Sequence, residues 1–172
     1  MYGAYKKGDK VYRTKLTSCF NMFYEQNKTY NLDSIEFKAG IDCSELINMS
    51  GTFHMLSYLT SVIGLEYLDI SKVTIMNSMF NRCNSLTSLN ISSWDTSNDT
   101  SMWGLFYNCQ KLTSLDLSNF NTSKATNMDY MFSECSSLTN ITVSRNNWNI
   151  ISGCKTTNMF SGCGTSSVTY VD

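Results

Sequence analysis

The sequence predicts an α/β fold: a leucine-rich-repeat solenoid of about six stacked strand–helix units, with a parallel sheet on one face and short helices on the other. Three observations predict it. Three segments align without gaps, so that Phe80, Phe106 and Phe132 stand 26 residues apart, as do Cys83, Cys109 and Cys135. Each segment switches its apolar period halfway, from helical to alternating. One such unit cannot bury its apolar face alone, so the copies must stack.

Taken in chain order, the first 15 residues are basic, with Lys6, Lys7, Lys10, Arg13 and Lys15 against Asp9. Lys7-Gly-Asp-Lys10 predicts a hairpin turn before Val11-Tyr12. Residues 1–18 are therefore read as an N-terminal basic hairpin or cap, and 19–172 as a single repeat domain. The first degenerate copy places Leu32-Asp-Ser-Ile35-Glu-Phe37 after Cys19, Met22 and Phe23. The next places Leu65-Glu-Tyr-Leu68-Asp-Ile70 after Met55 and Leu59, with a connection five residues shorter than in the clean copies.

In the clean copies, Met128, Met131, Phe132 and Cys135 lie at i, i+3, i+4 and i+7, which predicts one stripe of a short helix. Leu138, Ile141 and Val143 then predict a strand with one buried face. The Asn, Ser, Thr and Asp that follow supply turn chemistry, with Thr100 and Thr126 as candidate helix caps. A last irregular copy runs from Met159-Phe160 to Val171. The 172 residues contain no proline, so this one Asn/Asp/Ser/Thr turn is reused along the chain.

The string Met-Phe-x-x-Cys-x-x-Leu-Thr-x-Leu-Asp-Leu-Ser-x-Phe/Trp-x-Thr-Ser, clearest from Met76 to Val143, resembles the BspA-like leucine-rich repeat surface proteins, a domain of unknown function in bacterial lipoproteins. That resemblance implies a binding module on a cell surface and carries no catalytic residues. The sequence departs from the pattern at Cys43–Met49, read as an insertion, and at Asn146–Thr156, which lacks the Thr-Ser turn.

Composition narrows the function. A net charge of -1 gives no global field toward nucleic acid or an anionic membrane. The first 15 residues lack the apolar stretch of a signal peptide. No run reaches the ~18 apolar residues of a membrane span. Leu56–Leu68, the nearest candidate, is broken by Ser, Thr, Gly and Glu. With one histidine, His54, and no nucleophile–base constellation, an enzyme is not expected, nor is a cofactor or a metal. His54 itself reads as a satisfied polar contact.

The 7 cysteines form no Cys-x-x-Cys pair, and an odd number cannot be fully paired within one chain. Cys83, Cys109, Cys135 and Cys163 share one column and read as a structural ladder of buried thiols, kept from disulfides by the ~8–10 Å spacing of helices. Cys43 and Cys154 fall in irregular connections and are expected to be more exposed. The Asn-x-Ser/Thr triplets at Asn27, Asn48, Asn90, Asn98, Asn121 and Asn140 follow from composition.

Two surfaces remain as candidate contacts. On the open strand face one column reads Glu36, Asp69, Asn90, Asp116, Thr142, Asp172, and its neighbour Lys38, Ser71, Ser92, Ser118, Ser144. These read either as a hydrogen-bonded ladder capping the turns or as a shallow polar contact surface. On the other face, Trp103, Tyr107 and Tyr130 lie off the apolar stripe, and Tyr24 matches Tyr107. The function expected is adhesion to a protein or glycan through Tyr67, Asp69, Asn90, Asp116, Trp103, Tyr107 and Tyr130, at a cell surface or secreted. The alternative is a structural part of a larger assembly, such as a phage virion or tail or a surface layer. No nucleic acid partner and no membrane insertion are expected.

Overall fold

A computed structural model describes residues 5–7, 10–12, 16–23 and 32–172. The predicted helices are overturned. Among the described residues there is no α-helix, and the one helical turn is a 3-10 helix at Leu65–Tyr67. The strand–helix solenoid is therefore replaced by a stack of coils built from short strands and tight turns. Single parallel bridges join Ser18 to Asn48, then Ile75, Ser101, Asn127 and Lys155, linking six consecutive segments.

The backbone of the clean copies shows why no helix forms. Met131 N–H bonds to Met128 O at 3.3 Å, Ser133 to Tyr130 at 3.1 Å and Cys135 to Phe132 at 3.3 Å, three overlapping β-turns. The residues between them donate to the next coil instead: Tyr130 to Thr157 O at 2.9 Å, Phe132 to Met159 O at 3.0 Å and Glu134 to Ser161 O at 2.7 Å. The same alternation recurs from Ser78 to Arg82 and from Gly104 to Asn108. Left-handed residues every fourth position make it possible. Ser78 and Arg82 have φ of 55° and 62°, and Tyr130 and Glu134 have 59° and 61°. Such residues cannot lie in a right-handed helix.

Stacking geometry favours this solution. Strands stack ~4.8 Å apart, whereas helices need ~8–10 Å. Turns that export every second N–H stack at strand spacing, so both sides of the coil keep one rise. The aromatic column measures it: Phe53–Phe80, Phe80–Phe106 and Phe106–Phe132 are stacked with centroids 5.0, 5.8 and 5.8 Å apart.

The strand side is less continuous than predicted. β1 (Tyr5–Lys7) and β2 (Lys10–Tyr12) pair antiparallel; Gly8, Asp9, Arg13 and Lys15 lie outside the described residues. β3 (Ser34–Glu36) and β4 (Ser61–Ile63) pair parallel. β5 (Ser114–Leu117), β6 (Asn140–Ser144) and β7 (Thr169–Val171) form a second parallel sheet. Between them, the coil around Asn90 forms no strand. The register also corrects the upstream copy. Ile35 pairs with Val62, so Leu59-Thr-Ser-Val62 is the leucine motif of that unit and Leu65–Leu68 is not. The five-residue shortening disappears, and so does the insertion at Cys43–Met49, because Asn48 and Ile75 are bridge partners. Thr100 and Thr126 are not helix caps either: their hydroxyls donate to Thr74 O and Thr100 O, each at 3.0 Å, tying coil to coil.

The core runs the length of the stack. Met79, Phe80, Leu105, Phe106, Met131 and Phe132 are fully buried from the turn side, facing Trp94, Phe120, Leu117 and Val143. Trp94 Nε1 donates to Leu65 O at 3.1 Å, which satisfies its buried polar atom. One acid is buried with them. Asp99 occupies the position held by Ala125 one coil later, both accepting no solvent. Its Oδ1 accepts from Ser101 N–H at 2.8 Å, while Oδ2 has no hydrogen-bond partner among the described residues.

Two predictions follow from the core. Phe106→Ala should cost about 3–5 kcal/mol, read as a lower midpoint in urea unfolding, because stacked neighbours above and below prevent collapse of the cavity. Burial pushes the Asp99 carboxyl up to about 7, against the Ser101 N–H that favours the charged form. The folded state then holds a proton that the unfolded chain has lost, so this group's contribution falls as pH rises from about 4 to about 7. Asp99→Asn should raise the melting temperature relative to the parent by a margin that grows from pH 5 to pH 8. A margin independent of pH would contradict the assignment.

Candidate functional site

The turn side of the stack carries a cleft of about 450 Å³, and its shape follows from the turn columns. The first left-handed position of successive coils is Gly51, Ser78, Gly104 and Tyr130. Ser78 and Gly104 keep this column small where Tyr130 carries a ring, and Ser78 and Tyr130 both line the cleft. Trp103, Tyr107, Arg82, His54, Met55 and Asn81 are the rest of the lining.

The aromatics are braced. Tyr130 meets Trp103 edge-on with centroids 6.1 Å apart, and Tyr107 edge-on at 6.4 Å. Trp103 is held at its backbone, where its N–H donates to Asn77 Oδ1 at 3.0 Å. Its side chain remains 39% exposed. Tyr130 Oη accepts from Asn158 Nδ2 at 3.3 Å. Three of the sequence-derived candidates are thus brought into one place; Tyr24, the fourth aromatic, lies outside the described residues.

The polar wall was not singled out from sequence. Asn81 is 6% exposed; its Nδ2 donates to Ser78 Oγ at 3.3 Å, and its Oδ1 has no donor among the described residues. Arg82 is exposed, and its backbone N–H donates to Tyr107 O at 2.8 Å. His54 lies in the wall, and burial, followed by the nearby Arg82 charge, holds its imidazole below the ordinary value, which keeps it neutral at pH 7. The signal that could have found these residues is the repeat column: His54, Asn81 and Tyr107 occupy the same turn position in consecutive coils, each accepting or donating within an identical ladder.

The strand-face candidates lie elsewhere and do not form the predicted column. Asp116 is opposite Thr142, as the column requires, but Glu36 is opposite Ile63 and Thr142 is opposite Thr169. Asp69 and Asp172 therefore leave the column. Asp69 and Asp116 each accept from a backbone N–H two residues on, Ser71 and Ser118, both at 3.0 Å. The hydroxyl and N–H of Ser71 hold the Asp69 carboxyl below its ordinary value. Asn90 accepts from Ser92 Oγ at 3.4 Å. These are turn-forming contacts. Tyr67 is exposed on the 3-10 turn, away from the cleft.

The thiols sit in the core. Cys83, Cys109 and Cys135 are fully buried, and each S–H donates to a carbonyl of the preceding coil: Phe53 at 3.1 Å, Phe80 at 3.1 Å and Phe106 at 2.9 Å. Cys163 donates to Leu138 O at 3.7 Å and is half-buried. All seven cysteines are free. Helix spacing cannot be the reason, since there is no α-helix among the described residues; the S–H groups are engaged as donors. Cys43 is buried, against expectation, and Cys154 is half-buried. Burial raises the Cys83 and Cys109 thiols far above their ordinary value, and burial with the neighbouring Cys43 pushes Cys19 up to about 12.

Comparison with known proteins adds family and fold. The family model described as "Mycoplasma protein of unknown function, DUF285" matches residues 47–170. No curated protein matches the sequence. Among solved structures, a leucine-rich cell surface protein from Faecalibacterium prausnitzii A2-165 is similar, with a TM-score of 0.59 and 20% identity. The alignment covers 99% of this chain and 46% of that one, so the chain spans about half the length of the protein it resembles.

For the thiols the geometry makes a direct prediction. Alkylation of the native protein, mapped by mass spectrometry, should label Cys154 and Cys163 and leave Cys19, Cys43, Cys83, Cys109 and Cys135 untouched until the chain is unfolded. Rapid labelling of the central three would show that their carbonyl bonds do not hold.

Proposed function

The chain belongs to the DUF285 family, and we propose that it is a non-enzymatic binding module exposed at a cell surface, which adheres to a protein or glycan through its turn-side cleft. The observation that carries this reading is the cluster of Trp103, Tyr107 and Tyr130 lining one cleft, where Tyr130 meets the other two rings edge-on. Aromatics held rigidly at a surface lose little conformational freedom on binding and offer large contact area, which is why they dominate binding hot spots. The core needs none of them to close, because the phenylalanine column beneath is already fully buried.

The surface location and the likeness to BspA-like proteins are parts of the same reading. They are supported by the fold shared with a leucine-rich cell surface protein. A role as part of a larger assembly has its own supporting observation. β7 pairs on one side with β6, and Tyr170 and Val171 are exposed on it, so its other edge can accept a further strand. Self-association measured by sedimentation, abolished by a charge at Val171, would favour that second reading.

The adhesion reading is tested with Trp103→Ala combined with Tyr107→Ala. Binding to cells, or to arrayed glycans and surface proteins, should drop at least about tenfold, the loss of roughly 1.4 kcal/mol. The melting temperature should fall by only a few degrees, about 5 °C at most, since Trp103 is exposed and Tyr107 half-buried outside the core. A large drop in melting temperature would place these rings in the structural core instead.

A further inference from the structure

The cleft's chemistry is specific enough to name a ligand class, and this step rests on the adhesion reading above. Four features decide it. The main-chain donors around the cleft are already used: Ser78 N–H bonds to Trp103 O at 2.8 Å, Gly104 to Asp129 O at 2.9 Å, Asn81 to Ser78 O at 3.2 Å and Tyr107 to Gly104 O at 3.0 Å. An extended peptide gains affinity by pairing its backbone with free donors and acceptors at a sheet edge, and these turns offer no such edge. Recognition here must come from side chains.

The side chains present the partly exposed indole of Trp103, with two phenol rings beside it. The negative face of an aromatic ring attracts partially positive C–H groups. The apolar face of a pyranose carries such groups on a rigid disc. Asn81 lines the wall of the cleft, and its Nδ2, which donates to Ser78 Oγ at 3.3 Å, carries a second N–H that suits a sugar oxygen. Finally, the charge is one-sided. Among the described residues that line the cleft, Arg82 carries the formal charge and none is an Asp or Glu, and the Arg82 guanidinium makes no ion pair with any described residue. A guanidinium fork matches a carboxylate.

We infer that the cleft binds a saccharide residue that bears a carboxylate, with its ring face on Trp103, its carboxylate on Arg82 and a hydroxyl directed to Asn81. The volume of about 450 Å³ lies in the range of small-ligand sites and suits one or two sugar rings. Sialates and hexuronates share this chemistry.

The experiment is calorimetric titration of the full chain with sialyllactose, with an oligogalacturonate, and with neutral lactose as reference. At least one acidic sugar should bind about tenfold or more tightly than lactose, and the preference should shrink as salt is raised. Arg82→Gln should bring acidic and neutral sugars to equal affinity, while Trp103→Ala should weaken all of them. Equal affinity for acidic and neutral sugars in the parent chain would overturn the inference. So would the absence of saccharide binding in a protein whose attachment to cells still depends on Trp103 and Tyr107. That second result would leave the adhesion reading standing with a protein as its partner. Loss of both saccharide and cell binding in the parent would remove the two together.

Discussion

Every second N–H of the Met-x-x-Met-Phe segment leaves its own coil and bonds to the next, and the rest of the molecule is arranged around that export. The donors at Tyr130, Phe132 and Glu134, like those at Ser78, Phe80 and Arg82, set a rise that matches the strand side. With the rise fixed on both sides, identical residues fall directly above one another. The phenylalanines then stack at 5.0 to 5.8 Å, and the thiols reach the carbonyls of the coil before them. A side chain placed at one turn position therefore recurs in register.

The repeat itself was plain in the sequence, as was the inward direction of Met79, Phe80, Cys83 and their equivalents. What the sequence could not distinguish was helix from turn. The spacing i, i+3, i+4, i+7 places the same residues inward in either conformation. The feature that separates them is a left-handed backbone at the third and seventh positions. Those positions hold Ser78 and Arg82, Gly104 and Asn108, Tyr130 and Glu134, a set with no shared chemistry. Only Gly104 and Asn108 follow the usual preference for that region. The neighbours enforce the conformation here, since each left-handed residue frees the donors that join the coils.

The register error upstream has a similar origin. Leu59-Thr-Ser-Val62 and Leu65-Glu-Tyr-Leu68 both satisfy leucine spacing, and they lie six residues apart. The Thr-Ser that Leu59 shares with Leu112-Thr-Ser-Leu115 was the better guide. Of the site, the aromatic half was legible, because Trp103, Tyr107 and Tyr130 stand outside the apolar columns in either conformation. The polar half was not. Asn81, Arg82 and His54 acquire meaning only when coils stack at strand spacing and bring a position of one coil beside its equivalent in the next.

Because each coil bonds only to its immediate neighbours, the bridges from Ser18 through Lys155 form a series of separate links. Those links run along the stack. Tension between its two ends would load one set of rungs at a time, from the outside inward. Consecutive bridge partners lie 30, 27, 26, 26 and 28 residues apart, so each released coil would pay out about 90–100 Å of extended chain. Under such a load the chain would lengthen in steps of similar size while the inner coils, and the cleft they carry between His54 and Tyr130, keep their shape until last.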